Sequence, residues 1–454
     1  MSIFGVYGSP HASNLVYYGL HCLQHRGQEA AGIASFDDEG KGVRLRGLGL
    51  LSEVFSKGNL DTLQGNIAMG GVKYANASKG GLDNVPPLFF HHHSGDFAIA
   101  NDGNLINREE VATYLESKGC IFMTDTDSEL MANLIKKEAS DDRIFNIVSA
   151  LQKMEGGFTF LVMTKNRLYA CRDHNGIKPL SIGSLPDGGY VVSSETCAFD
   201  IVGATFLRDV NPGEIVTIDH HGIRSMNYDE EYRYRICGME YIYFARPDSD
   251  IDGCNVHAFR KESGKRLFRE SPADADIVVG VPDSSLSAAL GYAEESGLPY
   301  EMGLVKSKYV GRTFIEPSQA MRERGVKMKL SAVRSIVSGK RVVLVDDSIV
   351  RGTTSLKIIN LLRDAGAREV HVRIASPMMT HPCFYGVDTS TKEELLCSHR
   401  TLEEARMKIG ADSLAFLSPA ATSASRPADK GLCLACFTGI YPTPIYSHDN
   451  EINK

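Results

Sequence analysis

A chain of 454 residues is long for a single domain, and two are expected. Hydrophobic residues make up 43%, enough for sizeable cores, and the formal net charge of −7 argues against a nucleic-acid partner, which would favour a basic face. No apolar run reaches the length of a membrane span and the start lacks a basic-then-apolar signal pattern, so no membrane association and a cytoplasmic address are expected. Ten cysteines are too sparse for a disulfide scaffold, and in a reducing compartment their special uses are metal, cluster or catalysis.

Residues 1–230 alternate short apolar runs with Gly- and Asn-rich turns, as in GNIAMGGVKYANAS and GDFAIANDGNLIN. This rhythm predicts layered sheets, with helices near 13–26 and 126–137. From about residue 275 the plan becomes strand, loop, helix and strand, which predicts a parallel sheet of the α/β class. The second such unit has Thr353 or Thr354 near the cap of its helix, Ile358, Leu361, Leu362 and Ala365 on one face, and Gly366 at its stop. The stretch SPAATSASRPADKG at 418–431 reads as an exposed connection.

The most informative segment runs from Val342 to Thr354, VVLVDDSIVRGTT. An apolar parallel strand carries Asp346 and Asp347 to its carboxyl end, where ligands of α/β sheets bind. Gly352, Thr353 and Thr354 then open a helix whose free N–H groups suit a phosphate. Successive side chains leave a strand in opposite directions, so bonding to vicinal sugar hydroxyls is a better use of the pair than chelating one ion. An acidic turn that merely caps a helix would explain the two carboxylates but not the whole pattern. Cys433 and Cys436 form a C-x2-C typical of cluster or zinc ligation, although two loop cysteines can also occur without metal. His91, His92 and His93 diverge on an extended segment and read as a solvated loop rather than a metal site.

The Val342–Thr354 stretch resembles the phosphoribosylpyrophosphate (PRPP) loop of type I phosphoribosyltransferases. VPDSS (Val281 to Ser285) resembles their pyrophosphate loop, and the basic segment from Lys306 to Leu330 resembles the mobile loop that closes over substrate. With CGMEYIYFARPDSDIDG, CFYGVDTSTKEEL and the front half, nearly the entire chain resembles the glutamine PRPP amidotransferase family. The resemblance implies an α/β plus α+β architecture in three parts. These are an αββα N-terminal-nucleophile hydrolase-like domain (class II glutamine amidotransferase) over 1–230, a type I phosphoribosyltransferase domain over 231–417, and a tail over 418–454 bearing two cluster cysteines. It implies PRPP binding by Asp346, Asp347, Ser348, Arg351, Gly352, Thr353, Thr354, Asp283, Ser284, Ser285, Lys306 and Arg312, with Mg²⁺ at Ser284, Asp346 and Asp347. Cys237, Cys383, Cys433 and Cys436 match its [4Fe–4S]-bearing branch, although four sulfurs would also suit zinc. Cys22, Cys120, Cys171, Cys197, Cys254 and Cys397 read as small core or surface residues. Purine nucleotide effectors and a homo-oligomer, dimer or tetramer, are further implications. Ser307 and Lys308 replace an Asn-Arg pair of the family beside the mobile loop.

The front half departs from the family in a consistent way. The family domain begins C-G-V-F-G, its terminal Cys attacking the glutamine amide with its own α-amine as base. Aligning on Phe4-Gly5 places Met1 at the nucleophile position, and a thioether cannot form the thioester. Cys22 falls where the family has Ser and lacks an adjacent α-amine. Removal of Met1 would expose Ser2, but one residue late, about 3.3 Å along an extended chain and on its other face. Lys73 stands for the arginine that clamps the glutamine carboxylate and loses its bidentate fork. Asp102 stands for the oxyanion-hole asparagine, and losing such a donor costs about 2.7–4 kcal/mol. Arg26, Gly103 and Asp127 are retained from the glutamine site. The expectation is a phosphoribosyltransferase that makes phosphoribosylamine and pyrophosphate from PRPP, with ammonia or another amine in place of glutamine. The alternatives are a catalytically silent PRPP- or nucleotide-binding regulator and a transferase with a different amine acceptor.

Overall fold

The computed structural model describes residues 1–74, 81–93, 95–137, 140, 142–307, 330–389, 391–427 and 430–446. Ala75, Asn76, Lys308 and Arg312 lie outside these residues, as does most of the proposed mobile loop.

The front half is built on the strand Ser2–Tyr7, which pairs antiparallel with Ile67–Lys73 on one side and Tyr190–Ser193 on the other. Seven strands make this sheet, and six antiparallel strands, from Leu88–Phe90 to Gly222–Asn227, make the second. The period of two in strand side chains explains how they stack. Ile3, Met69 and Ala34 face Ala98, Leu161 and Met163 of the second sheet. Phe4 and Val6 face the opposite way, onto Val16 and Leu20 of the helix Ala12–Cys22. That helix approaches so closely that a Cβ at Gly19 would lie 2.7 Å from the Phe4 ring. Helices Arg108–Ser117, Asp127–Lys137 and Arg143–Leu151 cover the outer face of the second sheet. The result is the helix–sheet–sheet–helix layering expected from the sequence.

The helix expected over 13–26 stops at Cys22 and is followed by a 3-10 turn at Gln24–Arg26. The turn has a physical cause, because Gly27 must pass beside the backbone of Lys73, 2.6 Å from where a Cβ would sit. The sequence reading missed helix Arg143–Leu151, although Asp142 caps it, accepting from Ile144 N.

The second half contains a parallel sheet in the order Ile277–Gly280, Arg341–Asp346, Glu369–Ile374, Ser413–Phe416. Helix Thr353–Asp364 packs Ile358, Ile359 and Leu362 on one face of it, and helices Val256–Glu270 and Leu286–Ser296 cover the other. Gly366 follows the helix end with a φ of 98°. Residues 418–431 correct the sequence reading, because this stretch is not simply an exposed connection. Ser418 caps a short helix, Pro419–Ala424, with Pro in its first turn; Thr422 is fully buried and the Arg426 guanidinium lies 5.3 Å over the Tyr241 ring. Ser-Pro starts a helix as readily as it opens a loop. No helix among the described residues is long and apolar enough to cross a membrane.

The halves are tied by buried ions. Arg172 ends a strand of the second sheet and makes a two-pronged pair with Asp252, 2.9 Å at both nitrogens, while also donating to the carbonyls of Gly176, Lys178 and Val210. Arg172→Met leaves the buried Asp252 carboxylate with the more distant Arg426, 4.0 Å away, in place of its two-pronged partner, and is expected to cost about 3 kcal/mol in denaturant unfolding.

Candidate active sites

The strand Arg341–Asp346 delivers Asp346 and Asp347 to the carboxyl edge of the parallel sheet, beside the loop after Ile277–Gly280. Ser285 Oγ donates to Asp346 Oδ1 at 3.0 Å, as does the Asp347 N–H at 2.9 Å. Ser284 Oγ and Ser348 Oγ donate to the two oxygens of Asp347. Gly352 holds a φ of 76° and opens helix Thr353–Asp364, where no side chain caps the first N–H groups. Thr353 and Thr354 are exposed there. Lys306 Nζ reaches Asp283 Oδ2 at 2.7 Å, at the mouth of the same edge, and Arg351 pairs with Glu394. The sequence-derived residues Asp283, Ser284, Ser285, Lys306 and Asp346 to Thr354 thus share one edge.

Burial, and secondarily the charge of Asp347, pushes the Asp346 carboxyl up to about 7. Burial raises Asp347 as well, against hydrogen bonds from Ser284 and Ser348 and the positive charge of Arg260. Two carboxyls that burial holds toward their neutral forms are suited to a cation or a hydroxyl-bearing ligand.

The second site is a cavity of about 270 Å³ between the layers of the front half, lined by Met1, Lys73, Asn101, Gly103, Arg108 and Asp127 among others. Met1 lines it and Ser2 does not, because the alternation of the strand turns Ser2 to the helix-covered face with Phe4. Ser2 Oγ is buried with no hydrogen-bond partner. Lys73 Nζ donates to the Asn84 carbonyl at 3.1 Å, and burial lowers its pKa. Asp127 accepts from Arg108 Nη1 at 2.7 Å and from Leu105 N at 3.0 Å. Gly103, at a φ of 104°, is required by the backbone, since a Cβ would lie 2.0 Å from the Gly157 carbonyl oxygen.

Arg26 is not among the cavity-lining residues. It sits beneath, buried, donating to Glu195 at 2.8 Å, to both oxygens of Glu240 at 2.7 and 2.8 Å, and to Asp102 at 3.3 Å. Asp102 also lies 3.8 Å from the Met1 amino group, and Lys178 reaches Glu240 at 3.1 Å. Sequence reasoning missed Glu195, Lys178 and Glu240; of these, Glu240 was legible, being a lone carboxylate inside the apolar run CGMEYIYF.

The four family-matched cysteines converge. Arg235–Cys237 pairs in parallel with Gly431–Cys433, with Cys237 directly opposite Cys433. Cys383, Cys237 and Cys433 lie near enough to Cys436 to add to the effect of burial on its thiol. Burial pushes Cys237 up to about 12 and raises the other three. Backbone N–H groups nevertheless point at these sulfurs: Met239 at Cys237, Tyr385, Gly386 and Val387 at Cys383, and Ala435 at Cys433. Among the described residues, no three His, Cys, Asp or Glu side chains are grouped tightly enough to hold a single metal ion. His91 is an exposed partner of Asp96.

Layered antiparallel sheets around an amidotransferase-like cavity, joined to a parallel sheet with a phosphate-suited edge, define a fused amidotransferase and phosphoribosyltransferase architecture. Family models agree: residues 84–200 match a glutamine amidotransferase domain and residues 262–383 a phosphoribosyl transferase domain. The chain is 54% identical over 450 residues to the amidophosphoribosyltransferase of Bacillus subtilis (strain 168), spanning 98% of this chain and 94% of that protein. It is 49% identical to that of Staphylococcus aureus (strain Mu50), spanning 98% and 92%. A solved structure described as the allosteric regulatory enzyme of purine biosynthesis matches with a TM-score of 0.94 at 53% identity, over 98% of this chain and 97% of that one. That of glutamine PRPP amidotransferase from B. subtilis complexed with ADP and GMP matches with a TM-score of 0.93 at 52% identity, over 98% of each chain. The chain belongs to the amidophosphoribosyltransferase family.

The raised pKa of Asp346 makes a prediction with a definite sign. The unfolded carboxyl titrates near about 3.9, so between that pH and about 7 the folded state holds the extra proton and stability falls as pH rises. Asp346→Asn is expected to raise the thermal midpoint of the unliganded protein at pH 8 and to lose that advantage toward pH 4, as measured by calorimetry across pH.

Proposed function

We propose that this protein forms 5-phosphoribosylamine and pyrophosphate from PRPP, as an amidophosphoribosyltransferase of purine biosynthesis, with ammonia rather than glutamine as nitrogen donor. The observation that carries the first part is the convergence of Asp346, Asp347, Ser284, Ser285 and the uncapped Thr353 helix start on one sheet edge. In this reading Asp346 and Asp347 accept from the ribose hydroxyls and the helix start receives the 5-phosphate. The Asp283–Ser285 loop and Lys306 hold the pyrophosphate, with Arg312 of the proposed mobile loop joining them. The oxygen set of Ser284, Asp346 and Asp347 suits Mg²⁺, which when bound neutralises charge on the pyrophosphate. The sugar C1–O bond to pyrophosphate breaks, a C1–N bond forms, and the nitrogen loses a proton. Closure of the site matters because water would otherwise capture the oxocarbenium-like sugar.

The choice of ammonia rests on the cavity, which has a thioether where the family has its nucleophile. Lys73 is engaged with a backbone carbonyl, and Asp102 is turned into the ion network rather than offering a donor. Residues 1–230 would then be a retained but disarmed amidotransferase unit, 231–417 the transferase, and 418–454 a tail. We further propose that Cys237, Cys383, Cys433 and Cys436 hold a [4Fe–4S] cluster with a structural role. The supporting feature is N–H donation toward sulfurs that, as neutral thiols, would be poor acceptors. Purine nucleotides are the proposed effectors, and a homodimer or homotetramer the proposed assembly.

Pyrophosphate release from PRPP with Mg²⁺ should require ammonium, with glutamine giving no more than the donor-free control. Glutamine turnover matching ammonium overturns the ammonia assignment, and failure with every donor overturns the transferase assignment. Anaerobically purified protein should carry about four iron and four acid-labile sulfide per chain, and Cys433→Ser should abolish both.

A further inference from the structure

Two cysteines outside the four just described meet where a third element supplies a cation. Cys22 ends the helix Ala12–Cys22 and Cys197 begins the helix Cys197–Val202. Their sulfurs lie 3.9 Å apart, in van der Waals contact. Arg246, from the segment after the π-helical turn Glu240–Phe244, donates Nη1 to Cys22 Sγ at 3.0 Å. Its backbone N–H donates to Glu195 at 2.9 Å, and its Nε and Nη2 donate to Asp248, so the guanidinium is fixed on the thiol. Glu195 Oε2 lies 3.6 Å from Cys197 Sγ. A buried pair that served only to fill space would not need a guanidinium aimed at one sulfur.

We propose that Cys22 and Cys197 form a redox-active dithiol that a hydroperoxide converts to an intrachain disulfide. The thiolate is the reactive form, and a neighbouring arginine favours it. The contact shared with Cys197, and then Arg246, hold the Cys22 thiol below its ordinary value against the effect of burial, while the same contact and burial push Cys197 up. Cys22 is therefore the attacking sulfur and Cys197 the resolving one. The Cys22 thiolate attacks the peroxide, the O–O bond breaks, and a sulfenic acid forms as hydroxide or alkoxide leaves and takes a proton. Cys197 then attacks the Cys22 sulfur, its thiol proton leaves with the departing hydroxyl as water, and the S–S bond forms. Two thiols lose two electrons and the hydroperoxide gains them. The sulfurs must close from 3.9 Å to about 2.05 Å to form the bond. Cys22 lies four residues before Arg26 and Cys197 two after Glu195, so the disulfide would clamp the two segments that carry this buried ion pair and remove the acceptor from Arg246.

The test uses the full chain, reduced, then exposed to limiting hydrogen peroxide, alkylated and mapped without reduction. A linked peptide pair containing Cys22 and Cys197 is expected, forming before the more exposed Cys120 reacts. Cys197→Ala should leave a Cys22 sulfenic acid that dimedone traps. Arg246→Met should slow oxidation of Cys22 by up to about tenfold, the effect of one unit of thiol acidity on the thiolate fraction. Oxidation of Cys120 with Cys22 and Cys197 untouched, or linkage of Cys22 to any other thiol, overturns the proposal. An unchanged rate in Arg246→Met overturns the role of Arg246.

Discussion

The buried Arg26 guanidinium is the constraint around which the front of the molecule is arranged. It meets Glu195, Glu240 and Asp102 out of contact with water, and Lys178 joins through Glu240. Charges removed from water are tolerated only when paired, and removing one partner strands the others. Mutual attraction holds Glu195 and Glu240 well below the usual carboxylate range and raises Arg26 and Lys178, although burial opposes each shift. The network spans the turn after the first helix, both sheets and the π-helical turn Glu240–Phe244, so it ties the amidotransferase-like layers to the segment leading into the parallel sheet.

That network also gives Asp102 a reason to exist. An asparagine at this position could offer a hydrogen-bond donor to the cavity; an aspartate supplies a negative charge near Arg26 and the Met1 amino group. In the proposed reading, the carboxylate that offers no donor to the cavity instead serves the network as a counter-charge. The cavity remains open while its chemistry differs, because the glycine backbone at Gly103 and the Arg108–Asp127 pair maintain its walls independently of the nucleophile position.

The transferase edge follows a different logic. Its carboxyls are raised rather than lowered by their surroundings, since burial outweighs the hydroxyls beside Asp346 and Asp347 and the positive charge of Arg260 near Asp347. A site that holds unrelieved acidity is suited to a ligand bringing hydroxyls and a divalent cation. The front network is satisfied without a ligand, whereas the rear site is not.

Much of this was readable from the chain alone. The short apolar runs SIFGVY and VVLVDD and the turn RGTT each encode local geometry, because side-chain period and backbone freedom are properties of a few consecutive residues. The same locality placed Met1 on the cavity side of its strand and Ser2 on the other. What the sequence could not specify are contacts made by residues far apart in the chain. Arg26 meets Glu240 across 214 positions, Cys22 meets Arg246 across 224, and the SPAATS stretch becomes a half-buried helix because the body of the protein receives Ala421 and Thr422. Periodicity sets which way a side chain points; only the packed fold decides what stands opposite it, because burial makes an unpaired charge costly wherever its partner lies in the sequence.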